Sequence, residues 1–266
     1  MTAPVAAAIT AAGCGAELSD DELLDAYAWD FPCLRGEGPR FRFNFVASVD
    51  GAAALDGRSG GLGDGADNRV FALLRQTADV ILVGAGTVRA EGYSGELLAP
   101  SRQSWRVGQD RTAHPALAIV SGSLDLDPDS ALFREAPVRP LLLTAATAPE
   151  ERRAALERVA DVVVAGERTV EPEQAARALA DRGFHRVLCE GGPQLFGSFQ
   201  AAGLVDELCL TVSPLLTAGT ATRITAGTRE LAPHRLSLVQ VLRGGDTLLL
   251  RYGRAGMSGS SQPSTS

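Results

Sequence analysis

Val80-Ile81-Leu82-Val83-Gly84-Ala85-Gly86-Thr87-Val88-Arg89-Ala90-Glu91 is the stretch on which the reading of this chain turns. Four consecutive apolar residues, three of them β-branched, describe a strand buried on both faces. Gly-x-Gly then ends the strand and opens a helical segment. A strand that feeds a glycine turn and a helix is the repeating unit of a parallel α/β sheet, and its turn presents backbone N–H groups to a nucleotide phosphate. Arg89 occupies the third glycine position of the dinucleotide fingerprint, which argues against a classical Rossmann turn.

Working outward, similar β-rich runs fall at Arg40–Val46, Ala116–Val120, Pro140–Thr144, Asp161–Val164, Arg186–Cys189 and Glu207–Val212. Helical patterns lie between several of them. Asp67–Ala78 follows a capping Asp64 or Asp67, Pro149–Ala160 opens with Pro and two acids, and Glu171–Arg182 and Gln194–Ala202 complete the set. Near the end, Ser237–Leu242, Arg243-Gly244-Gly245-Asp246 and Thr247–Tyr252 predict a β-hairpin. The expected fold is one α/β domain, a mixed and mostly parallel sheet flanked by helices on both faces, with an antiparallel C-terminal hairpin. Residues 40–253 form that domain, residues 1–39 a frayed or loosely docked arm, and residues 254–266 a Gly/Ser-rich disordered tail.

Composition excludes several classes of function. The chain has 266 residues, 45% hydrophobic and 21% charged, with a formal net charge of −7, enough for a sizeable core and unlike a disordered chain. An acidic surface with 5% aromatics disfavours nucleic acid, and an anionic ligand must be held by local donors. No window reaches the roughly 18 uninterrupted apolar residues of a membrane span. The first basic residue is Arg35, so the apolar amino terminus lacks the charge of a secretory signal, and a cytoplasmic location is expected. Cys14, Cys33, Cys189 and Cys209 form no Cys-x-x-Cys pair, and His114, His185 and His234 have no ligand spacing, so no metal site is expected.

Three further segments carry chemistry. Ser48-Val49-Asp50-Gly51 places a carboxylate just past a strand, where a crevice would receive it, although Asp-Gly is also a plain turn. Asp56–Gly65 holds five glycines in ten residues, either a loop that lets a ligand approach its backbone or a flexible surface loop. Cys189-Glu190-Gly191-Gly192-Pro193-Gln194-Leu195 ends a buried strand in an acid, two glycines and a helix-opening Pro. The bare amides of that helix suit a diphosphate, with Glu190 expected to face the other half of the same crevice, although Gly-Gly-Pro also makes a plain turn.

Taken together, these segments resemble the reductase domain of riboflavin biosynthesis enzymes, within the dihydrofolate-reductase-like fold. The matching pieces are Ser48–Gly51, Leu73-Leu74-Arg75, Ala78–Glu91, Glu190–Pro193, Gly203–Leu208 and Ser213-Pro214. The resemblance implies NADPH-dependent reduction of a ribosylamino-pyrimidine phosphate to its ribitylamino form, and a homodimer. It implies that Gly61, Thr87, Glu91, Ser121 and the turn Gly191, Gly192, Pro193, Gln194, Leu195 contact the cofactor, with the Val46 backbone near the nicotinamide. Asp50, Ser59, Arg75 and Glu190 would line the substrate side. In chemical terms, Asp50 is the expected catalytic carboxylate, Arg75 and Ser59 suit a phosphate, and Glu190 suits the N–H edge of a pyrimidine.

Two departures qualify the resemblance. The amino-terminal zinc deaminase of many such enzymes is expected to be absent, since Pro32-Cys33 is followed by Leu34-Arg35-Gly36 with no preceding histidine. The stretch Glu91-Gly92-Tyr93-Ser94-Gly95 replaces the usual acidic-Pro segment and leaves a dihydropterin such as dihydrofolate as an alternative substrate. A non-catalytic nucleotide-binding protein is the second alternative. An apolar edge near Leu208–Leu215 is the candidate contact across a two-fold axis, and an edge covered within the monomer explains the same residues.

Overall fold

Val80–Val83, Ala116–Ile119 and Leu141–Leu143 are buried along their whole length, which only strands covered on both faces can be. The computed structural model describes residues 8–11, 16–30, 38–227 and 233–254. In chain order its elements are β1 (Thr10–Ala11), α1 (Asp20–Ala26), β2 (Arg40–Ser48), α2 (Gly65–Thr77), β3 (Val80–Gly84), α3 (Ala85–Glu91), α4 (Pro100–Gly108), β4 (Ala116–Val120), α5 (Ala131–Arg134), β5 (Leu141–Thr144), α6 (Glu150–Leu156), β6 (Asp161–Val164), α7 (Pro172–Ala180), β7 (Arg186–Cys189), α8 (Pro193–Ala201), β8 (Glu207–Ser213), β9 (Leu236–Gly244) and β10 (Thr247–Arg254). They build one ten-stranded sheet in the order β1-β9-β10-β8-β2-β7-β3-β4-β5-β6. From β8 to β6 every pairing is parallel, and β10, β9 and β1 add antiparallel strands at one side. The mixed, mostly parallel α/β sheet with its C-terminal hairpin is the architecture expected from the sequence.

The strand β2 shows how the layers form. Phe41, Phe43 and Phe45 point to one face and pack on Phe196 and Phe199 of α8, at centroid distances of 4.8–5.8 Å. Arg42 points to the opposite face, the side of Leu73, Leu74, Cys209 and Leu249. A third cluster, around Ile81, Val83, Leu117 and Ile119, holds Leu156 of α6.

Two expectations are corrected here. The amino-terminal arm is not loosely docked in residues 8–11 and 16–30. A capping box between Ser19 and Glu22 starts α1, β1 extends the sheet beside β9, and Ile9, Leu23 and Tyr27 are buried. The carbonyls at the end of α1 are held by guanidinium groups. Arg42 donates to Tyr27 and Ala28 at 2.7 and 3.0 Å, and Arg251 donates to Ala26 and Ala28 at 2.7 and 3.0 Å. Both arginines pair with the buried Glu207, at 2.5 and 2.9 Å. Cys14, Cys33 and the tail from Ala255 lie outside the described residues, whereas Arg254, placed in that tail, ends β10. The second correction concerns Leu208–Leu215. The strand β8 is flanked by β10 and β2, so these residues are covered within the chain and the reading as an edge open to a two-fold partner is set aside.

Glu207→Ala removes the buried carboxylate that Arg42 and Arg251 share. Denaturant unfolding is expected to show a loss of about 3–5 kcal/mol, with a smaller loss for Glu207→Gln.

Candidate active site

A cavity of about 520 Å³ opens at the carboxyl ends of β2, β3 and β7, the place where open parallel sheets bind ligands. Its first wall is α2. Asp64 caps this helix through the amides of Ala66 and Asp67, which fixes the phase of the turns that follow. Asp67, Phe71 and Arg75 recur at intervals of four residues, so they share one helical face and all line the cavity.

The opposite wall begins at Glu190, the residue after β7. Arg75 meets Glu190 side-on, Nε to Oε1 and Nη2 to Oε2, both at 2.7 Å. The phenol of Tyr93 donates to the same Oε2 at 2.5 Å. The guanidinium lies 4.2 Å from the Phe71 ring centroid and 5.5 Å from that of Tyr93. Burial alone lowers the pKa of Arg75, but the charge and hydrogen bonds of Glu190, with Tyr93, outweigh it and hold the group above its ordinary value. Burial, and then the Glu190 charge, push the Tyr93 phenol well above its usual range, so it stays a donor. A neutral phenol and a committed guanidinium thus fix the Glu190 carboxylate from two sides.

The third side is formed by the turn between β7 and α8. Gly191 has φ +93°, and a Cβ there would lie 3.1 Å from the Phe45 ring. At Gly192 a Cβ would stand 2.7 Å from the Thr87 hydroxyl. Glycine at both positions therefore lets the turn close against β2 and α3. Gly192 is the N-cap of α8 and Pro193 its first residue, with no side-chain cap. The first intrahelical bond runs from the Phe196 amide to Gly192, so the earlier amides of Gln194 and Leu195 have no helical acceptor. Gly86 and Thr87 line the cavity beside that bare helix end, and a Cβ at Gly86 would meet nothing within 4 Å. Bare amides, small residues and open space fit the diphosphate of a nicotinamide dinucleotide.

The structure distributes the expected residues unevenly. Val46, Ser59, Arg75, Thr87, Glu91, Glu190, Gly192 and Pro193 line the cavity. Ser59 and Glu91, assigned to opposite ligands, meet each other, since Glu91 Oε1 accepts the Ser59 amide at 2.7 Å and its hydroxyl at 2.9 Å. Gly61 is outside the lining, on the exposed side of the glycine loop beside Leu55. Gly191 and Leu195 are buried behind the wall, and Gln194 is exposed beyond it. Ser121 is buried at the end of β4, its hydroxyl accepting the Leu124 amide at 3.0 Å.

Asp50 stands apart from the cavity. Its exposed carboxylate accepts the Ser48 hydroxyl, the Thr217 amide and hydroxyl at 2.9 and 3.2 Å, and the Ala218 amide at 2.7 Å. The Ser48 hydroxyl first, then the amides of Ala218 and Thr217, hold its pKa far below the usual carboxylate range. Such a group has no proton to give at neutral pH, and its geometry is that of a clasp on the loop after β8. Sequence reasoning passed over Asp67 and Tyr93. Counting eight residues back from Arg75 along the helix finds the first. The second lay in the stretch that departs from the resemblance.

Because the folded pKa of Asp50 is depressed, its contribution to stability is present above the unfolded value and is lost as pH falls through the folded one. Asp50→Asn is therefore expected to be less stable than the unmodified protein at pH 7. In denaturant unfolding the difference should shrink progressively below about pH 4.

The comparisons bear on this geometry. The profile of the RibD C-terminal domain matches residues 39–250. The 2,5-diamino-6-ribosylamino-4(3H)-pyrimidinone 5′-phosphate reductase of Methanothermobacter thermautotrophicus is 30% identical over 219 residues, covering 80% of this chain and 97% of that protein. The reductase of the same name from Archaeoglobus fulgidus is 27% identical over 213 residues, covering 79% and 97%. A crystal structure of a pyrimidine reductase-like protein from Corynebacterium diphtheriae superposes with a TM-score of 0.78 at 29% identity, covering 87% of this chain and 98% of that one. With its cavity at the switch between α2 and the Glu190 turn, this chain belongs to the RibD C-terminal domain family.

Proposed function

We propose that the chain is an NADPH-dependent reductase of a ribosylamino-pyrimidine 5′-phosphate, forming the ribitylamino product of riboflavin biosynthesis. The observation that carries this reading is the side-on Arg75–Glu190 pair in a cavity that also holds the bare start of α8. When bound, the nicotinamide supplies the hydride. The chain's own residues bind and align. Glu190 accepts an N–H of the pyrimidine at the lone-pair site that its three donors leave free. The side-on geometry uses Nε and Nη2 of Arg75 and leaves Nη1, which otherwise makes a 3.4 Å contact with the Leu97 carbonyl, to the substrate phosphate. Phe71 and Val46 close the space between them.

Preference for NADPH rests on cations that the fold brings to the turn after β4. Arg152 donates to the Ser123 carbonyl at 3.1 Å and Arg89 to the Asp125 carbonyl at 2.8 Å, and both lie within 4 Å of the Asp125 carboxylate. They flank the Ser121 turn and suit a 2′-phosphate. Cys189 and Cys209 are free and buried, in keeping with a reducing cytoplasm, and no helix among the described residues is long and apolar enough to cross a membrane. We place the homodimer contact on the apolar residues that β9 and β10 leave exposed, Leu238, Val239 and Leu248.

The test is oxidation of NADPH by the purified protein with the diamino-pyrimidinone and uracil forms of the ribosylamino phosphate, and with dihydrofolate. Turnover of either ribosylamino phosphate is expected, and Arg75→Ala should reduce its kcat/KM by about 100-fold or more. Turnover of dihydrofolate alone would overturn the substrate assignment. Combined Arg89→Ala and Arg152→Ala should reduce kcat/KM for NADPH by about 10- to 100-fold and leave that for NADH unchanged.

A further inference from the structure

Reduction of an imine adds one hydride and one proton, and the residues assigned so far bind the substrate's ends without delivering the proton. Asp50 is outside the cavity and held ionised. Both oxygens of Glu190 are engaged, by two N–H groups of Arg75 and the Tyr93 phenol. Glu91 holds Ser59, and Glu96 accepts from Gln103 at 2.6 Å in an exposed position. Asp67 is different. It lines the cavity from the face of α2 that carries Phe71 and Arg75, and its Oδ1 accepts the Thr211 hydroxyl at 2.6 Å. Its Oδ2 has no hydrogen-bond partner among the described residues.

The surroundings of Asp67 are built around that free oxygen. Thr211 lies opposite Val46 in the parallel ladder of β2 and β8, so the carboxyl is anchored to the strand next to the one that lines the cavity. A Cβ on Gly63 would stand 2.5 Å from Oδ2, and glycine at that position leaves the oxygen its room.

We infer that Asp67 is the acid of this site and that its Oδ2 carries the proton to the nitrogen of the ring-opened ribosylamine. The inference rests on the reductase reading above. As the C1′ carbon takes the hydride, the C=N electron pair moves to nitrogen, and a new N–H bond forms with the proton from Asp67. The imine is reduced, a reduced nicotinamide dinucleotide is oxidised, and the carboxylate regains its proton from water. Burial raises the pKa of Asp67, the Thr211 hydroxyl opposes the rise, and the Asp64 charge at the start of α2 adds to it. The other charged or titratable groups on the cavity wall are Arg75, Glu190, Tyr93, Glu91 and Glu96. A raised pKa enlarges the protonated fraction at a given pH, so the donor is lost as pH rises.

The experiment compares the unmodified protein with Asp67→Asn and Thr211→Val. It measures kcat and KM against pH with a ribosylamino phosphate and NADPH, and the infrared band of the protonated carboxyl in the protein without cofactor. Asp67→Asn is expected to lower kcat by about 100-fold or more, with little change in KM, and to remove the falling limb at high pH. Thr211→Val keeps the acid but loses a hydrogen bond that favours its ionised form, so kcat at low pH is retained and the limb moves to higher pH. The carboxyl band should titrate with that limb and be missing in Asp67→Asn. An Asp67→Asn protein with unchanged kcat and limb, or with a raised KM alone, overturns the inference. If the unmodified protein reduces no ribosylamino phosphate, the functional reading falls instead. The infrared titration then still decides whether Asp67 holds a proton, and a band unchanged in Asp67→Asn overturns that too.

Discussion

The Arg75–Glu190 pair is the constraint on which the site depends. Removing a guanidinium and a carboxylate from water costs several kcal/mol for each ion, and only good geometry with further hydrogen bonds offsets it. Here two parallel bonds of 2.7 Å, the Phe71 ring under the guanidinium and the Tyr93 phenol on the carboxylate meet that condition. The pair joins α2, which starts beyond the glycine loop, to the end of β7, where the Gly191-Gly192 turn begins. Tyr93 and the Leu97 carbonyl bring the loop after α3 onto the same two residues. The α2 wall, the Gly191-Gly192 turn and the loop after α3 are therefore positioned by one buried interaction.

That arrangement also sets the electrostatics. Among the described residues lining the cavity Arg75 is the one cation, whereas Asp67, Glu91, Glu96 and Glu190 are acids. The proposed phosphate-bearing substrate would enter against this charge and against the net charge of −7, so its phosphate would sit where a guanidinium N–H is still available. The acids divide their work by their surroundings. Glu190 is pinned by donors, Glu91 steadies Ser59 of the glycine loop, and Asp67 keeps one oxygen open in a desolvated setting. Residues of the same type thus take different chemistry from the number of donors and the amount of water around them.

The central sheet was legible because its strands are short apolar runs with clear ends, and Val80–Gly84, Ala116–Val120, Asp161–Val164 and Arg186–Cys189 match the observed limits. The helix α4 was not legible, since its one buried residue is Arg106, which caps the carbonyls of Gln76 and Ala78 and leaves no apolar rhythm to read. Charged residues misled in the same way at the amino terminus. The acids of α1 read as a solvated arm, while Arg42 and Arg251, distant in sequence, anchor it. In the site, the glycine turn and the Arg75 helix announced themselves by pattern. The pairing of Arg75 with Glu190 across 115 residues, and of Arg89 and Arg152 around one turn, exists only in three dimensions. Asp50 shows the converse, since the resemblance pointed to it as the catalytic carboxylate, whereas the hydroxyl and amides that satisfy it are seen only in the structure.

The most direct measurement is a crystal structure with the oxidised cofactor and the ribitylamino phosphate product bound together. The account predicts the diphosphate within hydrogen-bond distance of the Gln194 and Leu195 amides, the pyrimidine edge on Glu190 and the phosphate on Arg75. A product lodged outside this cavity, or a cofactor whose diphosphate avoids the start of α8, would contradict it.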